Sequence, residues 1–381
     1  MRISKFILTI IIFWSCSICA TRIRVLLDQC QSDHSKTWTI ESSDGFSLAG
    51  PDSEKKIFTK NKYLHVKNNK LGTFINNKRL RKEQIFICPR RGFFSFEDKQ
   101  YDGYVQIRIK NKKVYFVNVI NLEDYVFSVL RTEGWPGWPC EVNKVFAIMC
   151  RSYAISQLLT ARKIGQPFDI GNTNAHQTYK GVHPVGALRE AADQTKDVFL
   201  AYEGKPILAM FDSCCGGVVP AYIHVNGVSF EKAPYLERKY PCTFCKKCKI
   251  FSWSIVYGEE HLYDLFKSRL KRIKKIKNVE VIKRDKAGLV EKVVVSEGKK
   301  KEFLTGKQVY SLLREIKSFC FSIYKNGKNS FIFKGRGFGH HIGLCQWGAR
   351  EMVRQNWDYK RILQFYYPET QFMVLRNGKG E

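Results

Sequence analysis

A glutamate at the end of a predicted helix is a candidate catalytic acid in this sequence. Apolar residues recur after Asn121 at the spacing of one helical face: Leu122, Tyr125, Val126, Val129 and Leu130. Glu133 lies four residues after Val129, which places it on this face in the last turn. Burial and the negative end of the helix dipole both raise a carboxyl pKa, as a general acid near neutral pH requires. A structural glutamate fits the same spacing.

A run rich in glycine and histidine lies near the end of the chain. Residues 335–349 read GRGFGHHIGLCQWGA, with five glycines and the adjacent His340 and His341. Such a glycine cluster indicates backbone angles or close approaches that other residues do not allow. The spacing differs from the phosphate-binding GxxxxGK[ST] loop, and the dinucleotide motif needs a preceding strand and a downstream acid. A tight turn and a ligand-binding loop both remain open.

This run resembles the signature of the SpoIID/LytB family, GRG-aromatic-GH-G-[VI]-G-[ML]-x-Q-aromatic-GA. His341 stands where the family usually has glycine, so it must accept the unusual backbone angle or mark a local rearrangement. A second segment resembles the family's L-E-x-Y-V…E-x-P…A-R-[ST]-Y-A pattern. It runs from Asn121-Leu-Glu-Asp-Tyr-Val through Glu133-x-x-Pro136 to Cys150-Arg-Ser-Tyr-Ala154, with Gly134 stretching the E-x-P spacing by one residue.

Shorter matches extend the resemblance over roughly residues 114 to 372. They are His176–Gly181 (Q-x-Y-x-G), Ser213–Gly217 (S-x-x-GG), Ala233–Leu236 (P-Y-L) and Asp358–Pro368 (I-L-x-x-Y-Y-P). The resemblance implies an exported lytic transglycosylase that cleaves the MurNAc–GlcNAc β-1,4 bond of peptidoglycan and leaves 1,6-anhydroMurNAc ends. Glu133 is then the catalytic acid, and Glu123 is the fallback. The expected substrate contacts are Arg151, Gln177, Tyr179, Ser213, Gly216, Gly217, Arg336, His340 and Gln346.

The same resemblance implies peptidoglycan glycan strands as the partner, together with an amidase that strips their peptides and proteins of the septum. Septal or cell-wall remodelling and a sporulation-like role are both consistent with it. The alternative is a non-catalytic peptidoglycan-binding or scaffolding protein at the septum. The indoles of Trp135 and Trp138, which follow Glu133, are suited to the apolar faces of sugar rings.

Cysteines raise the question of a metal. Cys242-x-x-Cys245-x-x-Cys248 has a suitable spacing, but tetrahedral zinc and iron–sulfur sites need a fourth ligand. Cys214 or Cys215 supplies it only if the fold brings them close. Some family members hold zinc beside the Q-x-Y-x-G element, where this chain has Ala175 and His176. Disulfides or free thiols are therefore favoured, and no metal or cofactor is predicted. A Cys345 nucleophile is disfavoured because its histidines are neighbours in sequence only.

The predicted helices and strands that carry the candidate site residues indicate an α+β fold with a substrate groove. The groove would be lined by the Glu133 helix and the loops 213–217 and 335–348. Alternating β-formers predict a β-rich N-terminal region, and helices are expected from Asn121 to Glu133 and from Pro139 to about Lys163. A Lys-rich helix, two strands and a helix from about Gly306 are expected between 255 and 320. The resulting domains are 1–20 (signal peptide or anchor), 21–112 (β-rich) and 113–381 (SpoIID-like).

The net charge and the N-terminal segment limit the classes of binding partner that the sequence allows. Lys+Arg of 64 against Asp+Glu of 35 gives +29 in 381 residues, which favours a polyanionic partner. Residues 1–20 have the charge, apolar core and small residues of a signal peptide, although retention as a membrane anchor or lipidation at Cys16 also fits. We therefore expect a periplasmic or cell-envelope protein and exclude nucleic acid. Eleven of the 13 cysteines lie beyond this segment, so full disulfide pairing within one chain is excluded.

Overall fold

The computed structural model describes residues 22–51, 57–219 and 229–375. The chain divides into two compact units. Unit 1 comprises Met1–Trp135, Cys150–Pro206 and Gln371–Glu381, and unit 2 comprises Pro136–Met149 and Ile207–Thr370. The expected signal peptide or anchor, 1–20, lies outside the described residues. Within the described ranges, no helix combines the length and apolar character needed to cross a membrane.

Strands build the described chain up to Asn121, as the alternating sequence predicts. They are β1 Arg22–Gln31, β2 Lys36–Glu41, β3 Phe46–Ala49, β4 Ile57–Thr59, β5 Tyr63–Asn69, β6 Gly72–Ile75, β7 Lys78–Arg79, β8 Gln84–Pro89, β9 Phe94–Phe96, β10 Lys99–Tyr101, β11 Tyr104–Lys110 and β12 Lys113–Asn121. The β-rich N-terminal region is confirmed. The boundary placed between 112 and 113 falls in the turn of the antiparallel β11–β12 pair.

The first two helices follow at the positions that the sequence predicts, and a third helix, α3 (Gly186–Gln194), was not predicted. The elements are α1 Leu122–Glu133, α2 Cys140–Lys163, β13 Ile170–Gly171, α3 Gly186–Gln194, β14 Val198–Tyr202 and β15 Lys205–Pro206. The Asn121 side chain accepts a hydrogen bond from the Glu123 backbone N–H and caps α1, which satisfies one of the free amide groups at the helix start. Helix α1 ends at Gly134, whose backbone N–H donates to the Leu130 carbonyl.

The first twelve strands form two sheets that share a core in unit 1. With β13, one sheet has the order β13-β1-β12-β11-β8-β3-β4, and the other is β10-β9-β2-β5-β6-β7. Phe116 of the first sheet stacks on Trp38 and Phe96 of the second, with ring centroids 5.6 and 4.6 Å apart. Strand β13 is parallel to β1, which places the start of the 172–181 segment at the edge of this sheet.

The remaining elements carry the C-terminal half of the chain. They are β16 Phe211–Asp212, 3₁₀ turns Pro234–Leu236 and Phe244–Lys247, β17 Ser252–Gly258, α4 Glu259–Phe266, β18 Asn278–Arg284, β19 Val290–Glu297, β20 Lys300–Thr305, α5 Gly306–Leu312, β21 Phe321–Asn326, β22 Ser330–Arg336, β23 Leu344–Cys345, α6 Gln346–Arg354, α7 Tyr359–Tyr366 and β24 Gln371–Val374. In unit 2, the sheets β17-β22-β21 and β18-β19-β20 share one apolar core with α4 and α5.

The expected Lys-rich helix is wrong in one respect. Helix α4 reads EEHLYDLF and contains no lysine. The lysines of 271–277 lie instead in a non-helical segment before β18. There the Glu302 carboxylate accepts backbone N–H groups of Lys271, Arg272 and Ile273, so the backbone is held by an acidic side chain from β20. The mixed α+β class itself is confirmed.

Candidate functional site

Glu133 ends α1 and is held by the segment that follows β13. Its side chain is half-buried, and Oε1 accepts a hydrogen bond of 2.7 Å from the Thr178 backbone N–H. The Thr132 hydroxyl donates to the Thr178 carbonyl. Both backbone polar groups of Thr178 therefore bond to the last turn of α1, which fixes the position of the carboxylate.

Burial determines the acidity of this carboxyl group. Desolvation raises the pKa of Glu133 above 4.5, and the hydrogen bonds from Thr178 offset only part of that rise. Tyr153 of α2 lies close enough to Glu133 for the two groups to interact electrostatically. Burial of Tyr153 and, to a smaller extent, the negative charge of Glu133 raise the pKa of the Tyr153 phenol to about 12. Tyr153 therefore stays protonated at neutral pH. A carboxyl group whose neutral form persists to higher pH is suited to donating a proton.

Glu123, the fallback acid, forms a buried ion pair. Its two carboxylate oxygens accept from Arg151 Nε and Nη2 at 2.7 and 2.5 Å, and Arg151 is fully buried. Arg151 Nη1 also donates to the Val198 carbonyl at 2.9 Å. This bidentate pair joins α1, α2 and β14 within unit 1, and it leaves Glu123 poorly suited to proton transfer.

Three expected substrate contacts in unit 1 are core residues. Arg151, Gln177 and Tyr179 are at most 2% exposed. Gln177 Oε1 accepts from the Tyr125 hydroxyl at 3.0 Å, and the Tyr179 hydroxyl donates to Asn118 Oδ1 at 2.6 Å. Direct contact with a ligand is therefore not supported for these three side chains, because their polar groups already bond within the core. They hold the segment that presents Thr178 to Glu133.

The two glycine-rich loops of unit 2 pack against each other. Cys214 and Phe338 exchange backbone hydrogen bonds of 3.1 and 2.7 Å, and β16 pairs with β23 in parallel. A Cβ on Gly216 would lie 2.7 Å from the Gly337 nitrogen, so this approach requires glycine. Ser213 and Gly217 belong to the same loop, and Arg336 is exposed beside it. The expected adjacency of the 213–217 and 335–348 loops is present.

His341 accepts the unusual backbone angle. Its φ is 67°, a left-handed conformation that costs an ordinary residue about 1 kcal/mol or more. The residue is buried, its backbone N–H donates to Asp212 Oδ2 at 2.8 Å, and Nδ1 donates to the Cys215 carbonyl at 2.9 Å. Burial lowers the pKa of His341 to about 4. The imidazole is therefore a neutral structural group that supports the 213–217 loop.

The other polar residues of the glycine-histidine run are partly or fully enclosed. His340 is half-buried, its Nδ1 accepts from the Ile342 N–H at 3.1 Å, and burial lowers its pKa to about 4. Gln346 begins α6 and is 6% exposed. The expected groove combines residues of unit 1 with these residues of unit 2, and it stays a prediction.

Four buried thiols meet in unit 2, which the sequence did not predict. Sγ atoms of Cys215, Cys242, Cys245 and Cys345 all lie within 4.8 Å of one another. Cys248, the last cysteine of the C-x-x-C-x-x-C motif, lies beside Cys214 instead, with 3.6 Å between the sulfurs. The preference for disulfides or unassociated thiols overlooked Cys345. Its place inside the glycine-histidine run, opposite the Cys215 loop, was the available signal.

Comparison with known proteins decides the family. A model described as Stage II sporulation protein (SpoIID) matches residues 110–202. An uncharacterized protein of Brachyspira hyodysenteriae is 31% identical over 311 residues, which cover 81% of this chain and 81% of the relative. The chain belongs to the SpoIID family. The matched SpoIID segment contains Glu133, Thr178 and the buried Glu123–Arg151 pair.

More distant relatives have names, and they give this SpoIID protein a role related to the cell wall. The Stage II sporulation protein D of Bacillus amyloliquefaciens is 24% identical over 287 residues, 69% of this chain and 77% of the relative. The amidase enhancer of Bacillus subtilis is 25% identical over 358 residues, 81% of this chain but only 48% of the relative. A model of a domain of unknown function (DUF8618) matches residues 239–343, which include Cys242 and Cys245.

Proposed function

We propose that this chain is an exported lytic transglycosylase that cleaves the MurNAc–GlcNAc β-1,4 bond of peptidoglycan. The observation that carries the proposal is the environment of Glu133. The residue lies in the segment matched by the SpoIID model, is half-buried, bonds to the Thr178 N–H and has a raised pKa. A protonated carboxyl group held in place is the requirement for protonating a glycosidic oxygen.

The proposed reaction needs one carboxyl group in two protonation states. Glu133 donates its proton to the glycosidic oxygen as the C1–O bond of MurNAc breaks. The carboxylate that results accepts the proton of the C6 hydroxyl as that oxygen bonds to C1. The products are a free GlcNAc 4-hydroxyl and a 1,6-anhydroMurNAc end, and Glu133 returns to its acid form. Because the sugar's own hydroxyl attacks, a second catalytic carboxylate is not required.

Two further features support a glycan substrate. Trp135 follows Glu133 by two residues and is 48% exposed, so its indole is accessible to the apolar face of a sugar ring. One relative is an amidase enhancer, which is consistent with an amidase as a working partner. Action at the septum or in wall remodelling, in the periplasm or cell envelope, belongs to the same proposal.

The test uses purified glycan strands from which an amidase has removed the peptides. Mass spectrometry of the digest should show 1,6-anhydromuramyl products with the wild-type chain and none with Glu133→Gln. The matched control is Glu190→Gln, the same change at an exposed position of α3, which should retain full activity. Removal of a general acid is expected to lower the rate by about 10²- to 10⁴-fold.

Other outcomes separate the alternatives. Reducing-end products in place of anhydro ends would mean hydrolysis and would contradict the single-carboxylate reaction. Binding of glycan without product from either wild type or Glu133→Gln would favour the peptidoglycan-binding or scaffolding protein.

A further inference from the structure

Four cysteines from three separate parts of unit 2 converge on one point. Cys215 lies in the 213–217 loop, Cys242 and Cys245 flank the start of a 3₁₀ turn, and Cys345 ends β23. All four side chains are at most 2% exposed. Their sulfurs lie within 4.8 Å of one another, although Cys215 and Cys345 are 130 positions apart. Such a convergence of thiols is the donor set of a structural metal site.

The spacing of the sulfurs fits a single ion. Zinc bonded tetrahedrally to thiolates at about 2.3 Å places the sulfurs about 3.8 Å from one another. The Cys215 and Cys245 sulfurs are 3.7 Å apart. An iron–sulfur cluster puts several irons and sulfides between its cysteines and needs a wider arrangement. All four cysteines are free thiols in the structure.

Hydrogen-bond donors and a helix N-terminus lie around the sulfurs. Cys345 Sγ accepts backbone N–H groups of Cys215 and Gly348, both at 3.3 Å. The Gly348 bond is the N-terminal cap of α6, so this sulfur lies at the positive end of a helix dipole. The Tyr366 hydroxyl lies 3.2 Å from Cys242 Sγ. Hydrogen bonds of this kind around the ligands are typical of metal–thiolate sites.

A buried cation next to the cluster supplies the opposite charge. Arg238 is 2% exposed, and its Nη2 lies 3.9 Å from Cys215 Sγ. In the part of the chain that the structure describes, its other hydrogen bonds go to the carbonyls of Val218 and Tyr240. No carboxylate forms a direct ion pair with it there, and Asp212 interacts with it only through the longer-range attraction of their charges. A buried guanidinium needs an anionic partner. Zinc with four thiolates carries two net negative charges, one of which Arg238 offsets.

We propose that Cys215, Cys242, Cys245 and Cys345 bind one zinc ion in a closed, four-coordinate structural site. The ion joins the 213–217 loop to the end of the glycine-histidine run, since Cys215 belongs to one and Cys345 to the other. With four protein ligands the zinc has no open position for a substrate. This proposal is independent of the transglycosylase activity.

The test measures metal in the full-length chain, purified under reducing conditions with zinc and then freed of loosely bound metal. Inductively coupled plasma mass spectrometry should find about one zinc per chain. In Cys242→Ser and in Cys345→Ser the zinc content per chain should fall by about tenfold or more relative to the wild-type chain. The matched control is Cys248→Ser, which removes the cysteine of the same motif that lies outside the cluster and should leave the zinc content unchanged.

A spectroscopic measurement on the wild-type chain covers the case in which a variant fails to fold. X-ray absorption at the zinc edge should show four sulfur neighbours at about 2.3 Å. Nitrogen or oxygen in the ligand shell, iron in place of zinc, or disulfides among the four cysteines in a zinc-free chain would overturn the assignment. Loss of zinc in Cys248→Ser with retention in Cys345→Ser would overturn it as well.

Discussion

The protonation state of Glu133 decides when the proposed reaction can begin. The acid form must donate first, and burial keeps that form populated above the ordinary pKa of 4.5. We therefore expect kcat/KM on stripped glycan to be flat on the acidic side and to fall about tenfold per pH unit above the raised pKa. A pH profile of initial rates, read from anhydro ends, measures this; a rate independent of pH from 4 to 9 would contradict it.

The same shift has a consequence for stability. A carboxyl group with a raised pKa in the folded state contributes stability that is present below its unfolded pKa and lost as the pH rises through the folded value. Glu133→Gln cannot ionise, so urea unfolding should show it to be more stable than wild type at pH 8 and no more stable at pH 4. This result would also show that an inactive Glu133→Gln chain is folded.

The sequence predicts the position of Glu133 on α1 better than the burial of the residues around it. Helical spacing placed Glu133 on the apolar face in the last turn of α1, and its expected burial gave the direction in which its pKa shifts. The depth of Arg151, Gln177 and Tyr179 was not predictable, because a motif shows that residues cluster and not which of them face solvent. The partnership of Cys215 with Cys345 depends on the parallel pairing of β16 with β23, to which no local pattern points.

At the scale of elements, the Glu123–Arg151 pair connects the helix that ends in Glu133 to its neighbours. Removing one partner of a buried pair leaves an uncompensated charge and typically costs about 3–5 kcal/mol. We expect losses of this size for Glu123→Leu and Arg151→Met in urea unfolding, and a Glu123→Leu/Arg151→Met double variant that loses clearly less than their sum. The control is Asp124→Asn on the same helix as Glu123. It breaks the exposed pair with Arg189 of α3 and should cost less than about 1 kcal/mol.

A coupling energy within about 0.5 kcal/mol of zero would show that the pair does not connect α1 with α2 energetically.

The boundaries of α1 and α2 were predictable because caps and helix breakers act locally: Asn121, Gly134 and Pro139 each affect only the adjacent backbone. The short strands β3, β4, β6 and β7 were not, since pairing with distant strands stabilises them. In α4 the lysine-rich flank was mistaken for the helix itself.

Across the whole molecule, the chain carries an excess of 29 positive charges. Part of the basic surface in unit 2 has acidic partners: Glu259 lies 3.6 and 3.8 Å from the ammonium groups of Lys275 and Lys277. The remaining excess favours a polyanionic partner, which fits the proposal that the protein acts on the cell wall.

If the four cysteines bind zinc, the ion stabilises the folded chain by closing segments that are far apart in sequence. A ligand that binds only the folded state adds about 2.7 kcal/mol at a concentration 100 times its Kd, and each kcal/mol shifts Tm by about 2–4 °C in a unit of this size. Calorimetry of the wild-type chain should therefore show a transition lowered by about 5–10 °C after zinc is removed with a chelator under reducing conditions. Cys248→Ser should show the same drop, whereas Cys242→Ser should begin at the lower Tm and not respond. An unchanged wild-type transition after demonstrated loss of zinc would mean that the ion does not hold this part of the molecule together.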